Sequence, residues 1–367
     1  MANPRDGAKL TRVVAGTRNA VHDRGLGKKN LLPGLGGLAV CIAGGALCAW
    51  LKTPLPWMIG PLVAMAIVQF SGGTLEAPAY GREVGQLLIA VTLGLYFTPV
   101  VAREVIGHWP VLLGTAFASI GIGFASGSFL ERAAGVDRAT AFFGSVPGGA
   151  SEMAVLGEKY GALTDRVALA HSIRILMVVT IVPVAITAAG FSGGQDYRPV
   201  TLPFDPGKLA MLVAAVAMAG LLAKRLEVPN AFMVGPLLAT IAITASGIES
   251  SSMPTRLSNA GQVLLACALG SSFQQSFVRE APRFVAALIP SILITIGLAA
   301  LLGLLLSWAS GLYLGTMLLA AAPGGIAEMS ITAQVLKIGV PLVTAAHVTR
   351  FVIVVLLTAP MYRLVAK

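Results

Sequence analysis

Six ionisable side chains stand inside long apolar runs of this 367-residue chain: Glu152, His171 and Arg174, then Glu328, His347 and Arg350. Each of the first three has its twin 176 residues later. A charge at the middle of a bilayer costs at least ~2.5–3.5 kcal/mol. Six such groups must therefore face one another or a wet cavity. His171 and Arg174 are three residues apart and share a helix face, as do His347 and Arg350. In a polar pocket an arginine neutralises an anion, while a glutamate or histidine carries a proton or helps hold a cation. Arg174 and Arg350 are thus candidate anion partners, and Glu152, Glu328, His171 and His347 are candidate ion-coupling residues. The plainer alternative pairs each arginine with a glutamate as internal glue.

Two matching breaks accompany these charges, and Ser151 of the first is Ala327 in the second. Pro147-Gly148-Gly149-Ala-Ser151-Glu152-Met153 reappears as Pro323-Gly324-Gly325-Ile-Ala-Glu328-Met329. Proline removes a backbone donor and clashes with the preceding turn, and two glycines weaken a helix further. A helix resuming after the glycines presents unpaired N–H groups and a partial positive charge, which suits an anion. Pro147, Gly148, Gly149, Ser151, Pro323, Gly324 and Gly325 are therefore candidate solute-binding residues. Glu152 and Glu328 fall in the resumed first turn, where each either caps the helix or carries a coupling charge. Gln86 and Gln262 are candidate supporting polar residues. A glutamine inside a membrane usually bonds across to a neighbouring helix.

The elements that must hold these residues are helices in lipid. The chain is 56% apolar and 11% charged, with a mean hydropathy of +0.82, against ~45–50% and ~25% in soluble domains. That excludes disorder and an ordinary soluble enzyme. Forty-two glycines suit close packing of membrane helices. Cys41, Cys48 and Cys267 all lie in apolar runs and resemble small buried hydrophobes. No Walker loop or dinucleotide fingerprint occurs in context. Two half-membrane histidines make a thin redox-metal site. No cofactor, no metal and no catalytic role are expected. The net charge is +10, with a basic segment at residues 1–30 directly before the first apolar run. This marks a retained cytoplasmic tail rather than a nucleic-acid arm.

Apolar runs of spanning or near-spanning length fall at about 31–51, 55–71, 83–101, 109–130, 139–157 and 167–190. A second set falls at about 207–223, 229–247, 257–277, 284–308, 312–335 and 341–362. A Gly-, Pro- and charge-rich linker at 191–206 separates membrane repeat 1 (31–190) from membrane repeat 2 (207–367). Trp57-Met-Ile-Gly60-Pro61-Leu62 reappears as Phe232-Met-Val-Gly235-Pro236-Leu237, and Gly85-Gln86 as Gly261-Gln262. Gly60-Pro61 and Gly235-Pro236 read as kinks, Asn230 as a helix cap, and Trp50, Trp57, Trp109 and Trp308 as an interfacial belt. If the fifth run of each set spans, the copies are parallel; if it re-enters, each copy crosses five times and the copies are inverted. The inverted arrangement places most loop Lys and Arg on the side of the tail. The parallel one leaves the two sides nearly even once the tail is set aside, so the positive-inside rule favours inversion. The expected fold is an all-α integral membrane protein of two homologous, inverted repeats, each with about five transmembrane helices plus a broken or re-entrant Pro-Gly-Gly segment.

The duplicated P-W-M-I-G-P, G-Q…L-G, P-G-G-x-x-E-M and H-x-x-R signature resembles the bacterial AbrB-type membrane duplication family. The likeness runs from about residue 35 to the end. Family members carry labels such as ammonia monooxygenase and regulator of gene expression. A looser resemblance of architecture runs to the 2-hydroxycarboxylate and glutamate symporters. Together these imply a secondary transporter in the bacterial inner membrane with both termini cytoplasmic. Its partners would be the lipid bilayer, a small anionic solute and H⁺ or Na⁺, with no nucleic acid and a possible homodimer. The rival readings are a membrane sensor signalling through the tail and a membrane monooxygenase.

Overall fold

The computed structural model describes residues 31–193, 203–248, 250–273 and 281–365. The tail at 1–30 and most of the linker lie outside them. The described residues form α-helices and turns without a strand. The helices of the first half are α1 (Leu31–Trp50), α2 (Pro56–Phe70), α3 (Gly81–Gly94), α4 (Pro99–Gly107), α5 (Trp109–Ala134), α6 (Arg138–Ser145), α7 (Ala150–Glu158) and α8 (Thr164–Ala188). Those of the second half are α9 (Pro206–Arg225), α10 (Ala231–Ala245), α11 (Thr255–Gly270), α12 (Pro282–Ser310), α13 (Leu314–Ala321), α14 (Ile326–Leu336) and α15 (Val340–Val365).

Local chemistry sets these boundaries. Proline in the first turn starts α2, α4, α5, α9 and α12, where its missing N–H would be unpaired anyway. Asp137 caps α6 by accepting from Thr140 N at 2.8 Å, and Asp205 caps α9 by accepting from Gly207 N at 2.8 Å. Gly135 and Gly311 take the left-handed conformation that ends α5 and α12.

Among the described residues six helices (α1, α5, α8, α9, α12 and α15) are long and apolar enough to cross a membrane. Their outer surfaces are greasy: Trp308 is 87% exposed and Met211 75%. Such surface is tolerable only where the solvent is itself apolar. Trp50 and Trp109 are likewise exposed, but Trp57 is half-buried against α1 at Gly45. It belongs to helix packing, not to an interfacial belt. The run at 83–101 is not one straight span: α3 ends at Gly94 and α4 leaves at 91°. Thr98 accepts from Val101 N and Pro99 occupies the first turn of α4, so a new helix starts where the old one would have continued.

The two Pro-Gly-Gly runs are hairpins. Leu163 N, just before α8, donates to Thr140 Oγ1 in the first turn of α6 at 2.8 Å. The Tyr160 and Phe143 rings stack 5.6 Å apart. The chain therefore comes back beside its own entry point after turning at 147–149. In the second run Ile338, beyond α14, likewise lies against Gly315 at the start of α13. The base of the first hairpin packs on the end of α15, where Tyr362 meets Phe142 at 5.2 Å and Arg363 Nε donates to Tyr160 Oη at 3.1 Å. The base of the second packs beyond the end of α8, where Phe191 meets Tyr313 at 6.1 Å and Gly193 N donates to Leu336 O at 3.0 Å.

Contacts divide the helices into two bodies, each drawing on both halves of the chain. One holds α1, α2, α3, α9, α10 and α11; the other holds α5–α8 and α12–α15. Most helix–helix contacts fall within a body, and a buried apolar cluster that includes Leu93, Met233, Val178 and Met329 runs across the seam between the two. The first body is pinned where α3 crosses α11. A Cβ on Gly85 would lie 2.8 Å from Gly261 O and 2.8 Å from Leu265 N. Both obstacles are backbone and cannot swing away. Gly85→Val is expected to cost about 1–3 kcal/mol through overpacking, read as a lower thermal midpoint in detergent. Gly121→Val, with nothing within 4 Å of its Cβ, is expected to leave that midpoint unchanged.

Candidate functional site

A helix that stops inside a membrane leaves its last carbonyls without partners, and lipid offers none. The His-x-x-Arg pairs solve this for α6 and α13. His171 Nε2 lies 2.9 Å from Phe143 O. Arg174 donates through Nη1 to Ser145 O at 3.4 Å and Val146 O at 3.1 Å, and through Nη2 to Gly148 O at 3.2 Å. His347 Nε2 lies 2.9 Å from Leu319 O, and Arg350 donates to Ala322 O at 2.6 Å and to Gly324 O. Each arginine Nη2 also lies 2.7 Å from Nδ1 of its histidine. Arginine has only donors, so Nδ1 accepts and Nε2–H donates to the carbonyl. Each imidazole is thereby the neutral tautomer with both nitrogens engaged. Histidines held in this way brace the arginines. Among the described residues no arginine–glutamate ion pair joins Arg174 or Arg350 to Glu152 or Glu328, so the glue alternative does not describe them. The arginines pair with backbone carbonyls at helix ends, where a cation is favourable.

The other half of each break explains the motif P-G-G-x-x-E-M position by position. A Cβ on Gly148 would overlap the Met153 side chain, and one on Gly324 would overlap Met329. A Cβ on Gly149 would occupy the place of the Glu152 carboxylate, and one on Gly325 that of Glu328. The first glycine thus makes room for the buried methionine. The second lets the glutamate fold back over the N-terminus of α7 or α14, in the position of the third residue of a capping box. Glu328 is buried and Glu152 half-buried. Ser151 sits in the same first turn of α7, and its side chain lies outside what the structure describes.

Both breaks open on one cavity of about 390 Å³ between the two bodies. One wall carries Pro147, Gly148, Gly149, Pro323, Gly324 and Gly325, with Glu152, Glu328, Arg174, His347 and Arg350 around them. The facing wall belongs to the other body and carries Arg82, Gln86 and Asn230 above Met233 and Leu265. His171 and Gln262 are buried but do not line the space. Gln86 Nε2 donates to Asn230 Oδ1 at 2.7 Å, the expected bond to a neighbouring helix. Asn230, expected as a cap, makes no side-chain cap bond; it takes a left-handed φ of 57° before α10 and gives its oxygen to Gln86. Arg82 is the wall residue missed as a site candidate, because at the edge of an apolar run it reads as a loop charge. Its signal is its place four residues before Gln86, on the same face of α3. Glu328 is in electrostatic reach of Arg82, Arg350 and Arg174. Three arginines and two glutamates thus line the cavity.

A helical chain with six membrane-length apolar helices and a charged cavity between two bodies belongs to the class of multi-pass membrane proteins with an internal polar site. Comparison makes this specific: the profile of the family described as "Transition state regulatory protein AbrB" matches residues 57–366, and the chain belongs to that family. It is similar to "Uncharacterized protein YhjN" of Bacillus subtilis (strain 168), 27% identical over 92% of this chain and 94% of that one. It is also similar to "Putative regulator AbrB" of Escherichia coli (strain K12), 22% identical over 84% of this chain and 88% of that one.

Because Arg350 is a helix cap as well as a cavity residue, removing it exposes buried carbonyls. Arg350→Gln is expected to lower stability by about 1–3 kcal/mol, measured by thermal unfolding in detergent. Arg350→Lys, which reaches fewer of these carbonyls, is expected to fall between the two.

Proposed function

We propose that the protein is a secondary transporter of a small anionic solute, coupled to H⁺ or Na⁺, working by alternating access. The observation that carries this reading is the cavity's charge balance. An entering anion balances the three arginines and two glutamates that line the cavity, which sits where two helices break and two bodies meet.

In this reading the solute's negative group approaches the N-terminal turns of α7 and α14 behind Pro147–Gly149 and Pro323–Gly325. Arg174 and Arg350 supply field and hold the turns open, while His171 and His347 hold the arginines. Glu152 and Glu328 carry the coupling charge: protonated or cation-paired, each ceases to compete with the solute for its helix N-terminus. Ser151 joins the solute-binding turn of α7, and Gln86 and Gln262 serve as supporting polar groups.

Hairpin bases packed at opposite ends of α8, a 25-residue helix about 37 Å long, support entry of the two hairpins from opposite faces. That gives five crossings per copy and an inverted repeat, with both termini cytoplasmic in a bacterial inner membrane. Rocking or sliding of one body against the other along this seam exchanges the two accesses. The cavity walls at Arg82, Asn230 and Ala168 then belong to the cytoplasmic side, making this an inward-open arrangement. The regulator named among the relatives favours a second reading, a sensor signalling through residues 1–30.

The test is solid-supported-membrane electrophysiology on proteoliposomes stepped through acetate, malonate, succinate, sulfate and phosphate. At least one anion is expected to give a transient current absent from protein-free liposomes, and Glu328→Gln is expected to reduce it about tenfold or more. Deletion of residues 1–30 leaves the current intact if the protein is a carrier. Absence of current and of any pH change with all five anions would overturn transport of such anions.

A further inference from the structure

The two halves of the chain diverge where the cavity opens. Arg82, Gln86 and Asn230 stand together on one wall. At the same spacing of 175 or 176 residues, the corresponding positions are Ser258, Gln262 and Leu55. The backbone is conserved between the sites: Leu55 and Asn230 both precede a helix with a left-handed φ, 50° and 57°. The glutamines are the same. The partners are not. Leu55, Ser258 and Gln262 are 1%, 5% and 3% exposed and line no part of the cavity, whereas Arg82 is exposed and cavity-facing.

Neither Arg82 nor Asn230 is explained by local stability. A cation in the first turn of a helix opposes the helix dipole, and Arg82 is the second residue of α3. It has no hydrogen bond or ion pair among the described residues. Asparagine is a good helix cap, yet Asn230 leaves its own helix uncapped and bonds Gln86 instead. Meanwhile Arg174 has four Nη bonds to backbone carbonyls and His171, and Arg350 is held in the same way. Arg174 keeps only its buried Nε without a partner, whereas the whole fork of Arg82 is without a hydrogen bond among the described residues and stands in electrostatic reach of Glu328.

We propose that Arg82, with the Gln86–Asn230 amide pair, forms an anion-recognition site for a small carboxylate or oxyanion at the mouth of the cavity, present on one side of the protein only. The fork of Arg82 meets two oxygens of the anion, and the locked Gln86–Asn230 pair offers amide groups beside it. The site lies on the body opposite the hairpins, so a bound anion bridges the two bodies across Glu328. Through the apolar counterpart at Leu55, no equivalent anion grip is offered on the other side. The site deepens the transport reading by naming the group that meets the solute, but anion binding at Arg82 stands or falls by itself.

The experiment is thermal-shift titration of the full-length protein in detergent with acetate, malonate, sulfate and phosphate at constant ionic strength, alongside flux in proteoliposomes. At least one anion should stabilise the wild type saturably. Arg82→Ser, which copies the residue at position 258, should raise its half-saturation concentration about 10–100-fold, as expected for a lost hydrogen bond to a charged group. Arg82→Lys should raise it less, and Asn230→Leu, which copies position 55, should raise it severalfold. Arg225→Ser, an exposed basic position elsewhere, should leave it unchanged. Saturable binding with the same half-saturation in wild type and Arg82→Ser would overturn the site, as would absence of saturable stabilisation by all four anions. Arg82-dependent binding without flux would retain the site and remove the transporter; flux with Arg82-independent binding would do the reverse.

Discussion

Everything in this protein depends on satisfying helix ends that stop inside an apolar medium. An unpaired backbone group in lipid costs several kcal/mol, and each hairpin tip creates such groups in both directions. The chain answers with two short pieces of sequence. His-x-x-Arg closes the carbonyl end, through His171 and Arg174 on one break and His347 and Arg350 on the other. The glutamate of P-G-G-x-x-E-M folds back over the amide end. Strong opposite charges are thus drawn to one place because the backbone needs them there, and a polar cavity follows from the repair of the break.

The same repair bears on energetics and motion. Buried charges are expensive unless matched, so the hairpins gain by sharing an environment that can exchange its charge with water. The cavity lies along the seam between two bodies rather than within either. Within the first body the Gly85–Gly261 crossing leaves backbone against backbone, a contact too rigid to slide. The polar site sits on the seam between the bodies.

Much of this was legible before any coordinates. Hydropathy placed nearly all of the helices, and the doubled motifs marked both breaks, because proline, paired glycines and isolated charges are loud signals in an apolar background. Other features needed three dimensions. That Arg174 and Arg350 bind carbonyls instead of glutamates depends on where α6 and α13 end, and nothing in the residue types distinguishes the two. The bend after Gly94 had a signal in Thr98-Pro99, masked by continuous hydropathy across 83–101. The mixing of both halves into each body is a matter of non-local packing, which local patterns do not encode. Arg82 hid as a loop charge, although lining up the two halves shows the departure of Arg82 from Ser258 and of Asn230 from Leu55.

The most direct test of the shared cavity is thiol accessibility. Ala154 and Ala327 line the cavity from the two different hairpins. In a background lacking Cys41, Cys48 and Cys267, each is replaced singly by cysteine and exposed to a membrane-impermeant thiol reagent in sealed vesicles of known orientation. Both cysteines should react from the same side of the membrane, the cytoplasmic one. Reaction from opposite sides, or of neither, would contradict a single water-filled space reached by both breaks.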